Sequence, residues 1–356
     1  MKRISPVTGG LAALLIVCSV LGFSTDAAAT SLGQEPEETL FDAEDLLELT
    51  MEADLKPVLK DTGDERPDRP ARLWYLDQQG DTVSFDIGVK TRGYYRRIFL
   101  NCNVPPLRLN FKKKAVKNTV FAGQDKLKLV THCRDKAKAY QQFTLQEYLI
   151  YKVYNLITEN SFRVRLVRMT YVDTEGKRKL VTKYGFLIED EDRLAERLGG
   201  RILKTGVIHQ EVTHKEMATL LAVFQYMMGN TDWSVPGHHN IKFVFVDPKL
   251  PPLSVPYDFD FAGLVNAPYA KPDHRLQINS VRERLYRGYC RTEEEFQAAF
   301  APFNEQQEAI YALFRDFEYL DEKVKDRSLH YLDDFYETIN KPRSVKREFL
   351  AAWLEV

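Results

Sequence analysis

Two blocks of short β-forming segments, split by a single long amphipathic helix, limit the folds open to this chain more than any other feature. From residue 72 onward, LWYLD, VSFDIGVKTRG, PLRLNFK and KLKLV are rich in β formers and bounded by turn residues such as QQGD and AGQD. AYQQFTLQEYLIYKVYNLI follows, with apolar positions at helical spacing, and predicts one long helix with a buried face. FRVRLVRMTYVD and KRKLVTKYGFLIED then alternate apolar and polar residues on either side of DTEGK, which predicts a hairpin. LELTMEA, upstream, alternates in the same way and suits an opening strand, and DTGDERPDRP is a loop of turn formers and charges. Beyond Glu191 the pattern becomes helical. THKEMATLLAVFQYMMGN predicts an apolar helix ended by Gly229 and Asn230, and EEEFQAAFAPFNEQQEAIYALF and the segments after Tyr319 predict amphipathic helices. Between them NIKFVFVD and LSVPYDFDF read as two strands around a Pro-rich turn. The expected class is α+β, with a β-rich part at 40–190 and a helical part at 191–356.

The opening MKRISPVTGGLAALLIVCSVLGFSTDAAATS pairs a basic start with an apolar core and a small-residue cleavage site at Ala27–Ala29. Its apolar run is shorter than the roughly 20 residues that span a bilayer. The expectation is a signal peptide over 1–29, an acidic linker over 30–39, and a secreted or periplasmic mature chain without an integral membrane segment. An uncleaved anchor is the second choice. Cleavage leaves Cys102, Cys133 and Cys290, and an oxidising compartment predicts one disulfide and one spare thiol. Three pairings are open. Cys102 with Cys133 is favoured because both fall in the β-rich part, and the spacings match no metal-binding cysteine motif. With 50 basic against 51 acidic residues the chain lacks the surplus of a general nucleic-acid binder, and 44% hydrophobic residues suffice for a sizeable core.

The stretch GNTDWSVPGHHNIKFVFVD, with VPYDFDFAG after it, sets Asp232, Asn240, Asp258 and Asp260 beside apolar strands. Carboxylates are costly to desolvate there unless something pairs with them. Phosphoryl transfer from a nucleotide asks for a carboxylate near the acceptor hydroxyl, oxygen ligands for magnesium and a cation on the phosphates. The order of residues supplies those parts. No HRD or DFG is present, which excludes a typical protein kinase.

These residues resemble the catalytic core of the CotH family of atypical secreted kinases and, more distantly, HipA-type kinases. VKTRGYYRR is similar to the family's Arg-Gly strand, PLRLNFKK to its basic strand, and KLKLVTHC to the strand before its first long helix. The likeness runs in order from Phe85 to Gly263. It implies a bilobed atypical protein-kinase-like fold, with a β-rich N-lobe, an α-rich C-lobe and ATP with Mg2+ in the cleft. It implies a phosphotransferase acting on a protein hydroxyl, by analogy serine. Asp232 would orient or accept the hydroxyl proton. Asn240, Asp258 and Asp260 would hold magnesium. Lys128 would touch the phosphates and pair with Glu147, with Arg108, Lys112 and Arg92 as rivals for the phosphate role. Ile188 and Glu189 would lie near the adenine. The family's loop often has a basic residue where Trp233 stands here, which puts the choice of acceptor in doubt.

Plainer readings compete. Any single Asp could be a cap or turn residue, and it is the joint order that favours a site. His238 and His239 could ligate zinc, but adjacent side chains in an extended segment point opposite ways, so one of them is better read as an orienting partner for the loop. His209 and His214 are five apart rather than four, unlike a zinc-protease helix, and GGRILKT lacks the Gly directly before Lys that a P-loop requires. An exported nucleotide-binding or scaffold protein without catalysis is the main alternative. A metal-dependent hydrolase using Asp258, Asp260 and the histidines is a third.

Overall fold

Alternation along the strands decides which side chains meet. In the computed structural model, which describes residues 40–98, 101–204, 206 and 208–351, the segment LELTMEA forms β1 (Leu47–Ala53) and buries every second residue. The signal peptide and the linker expected over 1–39 lie outside the described residues. After a short helix α1 (Leu55–Leu59) come β2 (Arg69–Leu76), β3 (Thr82–Thr91), β4 (Leu107–Asn110) and β5 (Lys126–Val130). The long helix α2 (Lys138–Ile157) follows, and then the hairpin β6 (Val164–Asp173) and β7 (Val181–Ile188).

These seven strands close into a barrel in the order β1-β2-β3-β4-β5-β7-β6. Closure is made by β1 lying parallel to β6 from Leu47 opposite Val167 to Ala53 opposite Asp173. This overturns the bilobed kinase-like architecture expected from the resemblance, in which the strands would form an N-lobe sheet. The physical reason lies in β1. Its backbone groups find partners on both sides, β2 and β6, so the sheet closes and neither strand is left as an edge. Inside, Leu49, Met51, Leu73, Val89, Leu109, Leu127, Leu129, Val167 and Leu187 form one core, to which α1 adds Leu55, Val58 and Leu59.

The barrel's outer face makes a second core. On β7, Leu187 points into the barrel while Phe186 and Ile188 point out against α2, as a period of two demands. Along α2, Tyr148, Leu149, Tyr151 and Val153 join Phe224 and Met227 of α4 (Lys215–Met228). Upstream of α4 stand α3 (Glu191–Arg197) and the two-residue strand β8 (Arg201–Ile202). Helix α4 ends at Gly229, whose φ of 64° is the left-handed cap conformation. A Cβ at Gly229 would also collide with the Tyr331 hydroxyl, so the close approach needs glycine as well.

Strand β9 (Ile241–Phe245) pairs with β10 (Leu253–Pro256) and with β8 in a separate three-stranded sheet. Helices α5 (Glu293–Glu305), α6 (Gln307–Arg315), α7 (Glu322–Ile339) and α8 (Pro342–Val345) complete the helical side. A disulfide joins Cys102 to Cys133, the favoured pairing, and Cys290 is free and exposed. Among the described residues no helix is long and apolar enough to cross a membrane.

Candidate functional site

The loop between α4 and β9 folds as a miniature hairpin. Ser234 and His239 exchange backbone hydrogen bonds of 3.0 Å each way, and Trp233 and Val235 are buried beneath. Arg287 Nη1 holds its start by donating to the carbonyls of Thr231, at 2.5 Å, and Trp233, at 2.7 Å. Asn230 Oδ1 accepts from the Asp232 amide at 3.1 Å. Asp232 is thereby fixed at the rim with both carboxylate oxygens engaged. Oδ1 meets His239 Nε2 at 2.9 Å, and Oδ2 accepts from Asn240 Nδ2 at 3.0 Å. The hydrogen bond that His239 makes to the Asp232 carboxylate pushes the His239 pKa up, against partial burial. His238 turns the other way, its ring edge-on to Phe243 at 5.0 Å, so the orienting role falls to His239.

The second group forms where β10 ends. Asn240 and Asp258 have φ of 54° and 64°, a left-handed conformation that short polar side chains tolerate better than most. Tyr151 of α2 accepts from the Asp258 amide at 2.8 Å, and the Asn240 carbonyl accepts from the Tyr257 amide at 3.0 Å. Each turn therefore has its own anchor. Glu147 of α2, Asp258 and Asp260 can each offer an oxygen within 4.8 Å of the others.

Between these acids stands Arg96, from the loop after β3. Nη1 lies 3.1 Å from Glu147 Oε2, Nη2 3.1 Å from Asp258 Oδ1, and Nε 3.2 Å from Asp260 Oδ2. Burial would lower the Arg96 pKa, but Asp260 and Glu147 outweigh it and hold the guanidinium firmly charged. The carboxylates divide. Burial pushes Asp258 up, and Arg96 with Arg92 overcomes it, so Asp258 is held below the usual carboxylate range. Burial pushes Asp260 well up despite Arg96, and the charges of Asp258 and Glu147 add to the rise. Glu147 is likewise raised by burial, against Arg96. One cation thus stands among three acids, and burial weighs most on the deeper two, Glu147 and Asp260.

A cavity of about 390 Å³ opens over this cluster, and its wall includes Arg92, Arg96, Asp232, Asn240, Asp258 and Asp260. A larger one of about 670 Å³ lies beside it. The two share Asp232, His239 and Phe261.

The structure thus brings Asp232, Asn240, Asp258, Asp260 and Arg92 to one hollow, with Glu147 beneath. It separates others. Lys128 pairs with Glu191 at 3.3 Å and not with Glu147, which belongs to Arg96, so the expected Lys128–Glu147 pair is corrected. The reason is direction: Lys128 leaves β5 toward the start of α3, where Lys242 shares Glu191 at 2.9 Å. Lys128 still acts electrostatically on Asp258. Arg108 stands opposite Lys128 in the β4–β5 ladder, and Lys112 is exposed beyond the end of β4; neither lines the cavity over the acids. Ile188 is sealed in the core against α2. Glu189 is held by Arg197 at 2.9 and 3.0 Å and by the Arg163 amide at 3.1 Å, away from that hollow.

Sequence reasoning missed Arg96. Its only signal is the pair Arg96–Arg97 in RGYYRR, and the neighbour does something different: Arg97 binds the carbonyls of Thr62 and Gly63. Tyr269, which hydrogen-bonds Asp260, carried no signal at all. Compared with known proteins, the chain matches no family model and no curated protein.

Proposed function

We propose that the chain is a magnesium-dependent phosphotransferase that moves a phosphoryl group from ATP to a hydroxyl of a protein acceptor, with Asp232 as general base. One observation carries this reading: Asp232 stands on the wall common to two cavities, one over an acid cluster and the other, of about 670 Å³, beside it. His239 and Asn240 hold its carboxylate in place, so no reorientation precedes proton transfer. Asp232 takes the hydroxyl proton as the acceptor oxygen bonds to the terminal phosphorus. The bond to the leaving diphosphate oxygen breaks, and its electron pair departs on that oxygen. Arg92 faces the donor side, and Lys128 lends it positive charge.

The donor set tests whether magnesium suits the cluster. Three hard carboxylates within 4.8 Å suit it, and no histidine or cysteine joins them among the described residues. Glu147, Asp258 and Asp260 would hold the ion, which supplies Lewis-acid charge to the phosphate oxygens. The absence of nitrogen ligands from the cluster weighs against the hydrolase reading that used the histidines. Arg96 already compensates these acids, which favours a second reading: an exported nucleotide-binding protein without catalysis.

We place the protein outside the cytoplasm. The Cys102–Cys133 disulfide supports this, since such bonds persist in oxidising compartments, and so does the leader-like start of the sequence.

Melting curves with millimolar Mg2+ and ATP, paired with transfer of labelled phosphate, test the reading. A ligand held only by the folded state raises its melting point, by the equivalent of about 2.7 kcal/mol at a hundredfold excess over Kd. Asp232→Asn is expected to abolish transfer and keep the shift, whereas Asp258→Asn loses both. A shift without transfer in the wild type selects the second reading, and no shift sinks both.

A further inference from the structure

The larger cavity carries an excess of positive charge that the fold itself leaves uncompensated. Three of its lining side chains are permanent cations, Lys271, Arg275 and Arg287, against the acids Asp232 and Asp273. Asp273 is committed to Arg275, with Oδ2 2.5 Å from Nη2. Asp232 is committed to His239 and Asn240. Lys271 is exposed and has no partner among the described residues. Arg287 donates through Nη1 to carbonyl oxygens and lies over the Trp233 ring at 5.6 Å, with no carboxylate in contact among the described residues. Burial lowers the Arg287 pKa, and the nearby Arg275 charge lowers it further, against the pull of Asp273 and Asp232. Like charges set this close on a concave wall are relieved by an anion. Across Asp232 the situation reverses, with three carboxylates around one guanidinium. An anionic group entering the larger cavity is therefore drawn to its Lys271 side, whereas across Asp232 the nearest guanidinium is already taken by three acids.

We propose that this cavity seats the acceptor, and that the acceptor is an acidic peptide segment whose serine or threonine hydroxyl meets Asp232 while a neighbouring carboxylate meets Lys271 and Arg275. The cavity, at about 670 Å³, has room for several peptide residues, and Trp233 and Phe261 supply apolar wall. The proposal rests on the phosphotransferase reading of Asp232 but has its own readout, because peptide binding needs no phosphate donor.

Labelled serine peptides of equal length, flanked by Glu, by Ala or by Lys, are titrated into the full chain without nucleotide and followed by fluorescence anisotropy. The same peptides are then offered with Mg2+ and ATP, alongside free phosphoserine and free citrate as competitors. The Glu peptide is expected to bind at least about tenfold tighter than the Ala peptide at low salt, with the margin shrinking at physiological ionic strength. Lys271→Glu, at an exposed position outside the catalytic group, is expected to cancel that margin by weakening the Glu peptide more than the Ala peptide. In turnover it raises KM for the Glu peptide with kcat unchanged. Arg275→Gln is the second variant, expected to lose a smaller part of the margin. Equal binding of the three peptides, preference for the Lys peptide, or an unchanged margin in Lys271→Glu overturns the proposal. So does full competition by citrate at peptide-equivalent affinity, which assigns the cavity to small acids. Selective binding of the Glu peptide without transfer keeps the anion-binding cavity and removes the phosphotransferase. Transfer to Lys peptides does the opposite.

Discussion

Replacing Arg96 with Gln should convert the acid cluster from one paired by its own guanidinium into one that depends on an added cation. In the wild type the guanidinium touches three carboxylates while almost wholly buried. Removing one partner of a buried ion pair costs about 3–5 kcal/mol, because the charges left behind are neither solvated nor matched. At roughly 2 °C per kcal/mol for a chain of this size, the melting point of Arg96→Gln falls by about 6–10 °C in EDTA. A divalent cation that takes the vacated centre returns about 2.7 kcal/mol at a hundredfold excess over its Kd, or roughly 5 °C. The wild type gains less, since there the ion must first displace Arg96. The variant's pH profile has a definite sign. Burial raises the folded pKa of Asp260 above its ordinary 3.8, so the folded state keeps a proton that the unfolded chain releases. That contribution is complete below the unfolded value and is lost as pH rises through the folded one. Without Arg96 to oppose the rise, the metal-free variant is most stable in acid and weakens toward neutrality, and metal binding there releases protons. Differential scanning fluorimetry of wild type, Arg96→Gln and Arg96→Lys from pH 5 to 8, with EDTA or Mn2+, reads all of this. If Mn2+ shifts wild type and Arg96→Gln equally, or if Arg96→Gln melts within 1 °C of the wild type, the guanidinium does not hold the cation's place.

Other perturbations have plainer outcomes. The hydrogen bond to the Asp232 carboxylate raises the folded His239 pKa above 6.5, so its stabilisation is full below that value and fades as pH rises through the folded pKa; His239→Gln should remove this fade in melting curves above pH 6.5. Replacing Cys102 and Cys133 with serine opens a loop of 31 residues and should cost about 3.5 kcal/mol by chain entropy, measurable in urea under oxidising conditions and absent under reduction. Gly229→Ala needs a Cβ where the Tyr331 hydroxyl sits and a left-handed φ besides, so about 2–4 kcal/mol should be lost in the same titration.

Local pattern carried some of this fold and could not carry the rest. The long helix is expected from AYQQFTLQEYLIYKVYNLI, and α2 occupies Lys138–Ile157; the hairpin across DTEGK is β6 with β7. Those features depend on spacing within one segment. Barrel closure depends on LELTMEA finding a strand more than a hundred residues away. Alternation states that β1 has a buried face but not which strand it pairs with, so the same segments fitted an open lobe equally well. The resemblance then supplied a fold that the pairing contradicts.

The site follows the same division. Asp232, Asn240, Asp258 and Asp260 were legible because each lies within a few residues of an element end that the sequence marks, and two of them need a left-handed backbone that Asn and Asp tolerate. Glu147 and Lys128 were legible as charged groups on a helix and a strand, but their partners were not. An Arg can reach any acid within its length, and which one it meets is set by the path of the loop after β3. That loop joins β3 to antiparallel β4 and carries Arg96 to Glu147 of α2 and to Asp258 and Asp260. The cation is thus delivered by the barrel while Asp258 and Asp260 are delivered by the three-stranded sheet, so the balance of charge at the centre depends on the distance between two separately folded sheets. A site built that way responds to any force that moves the β3–β4 loop by a few ångströms, since three contacts of 3.1–3.2 Å loosen together. With the guanidinium drawn away, three acids able to offer oxygens within 4.8 Å of one another are left to another cation.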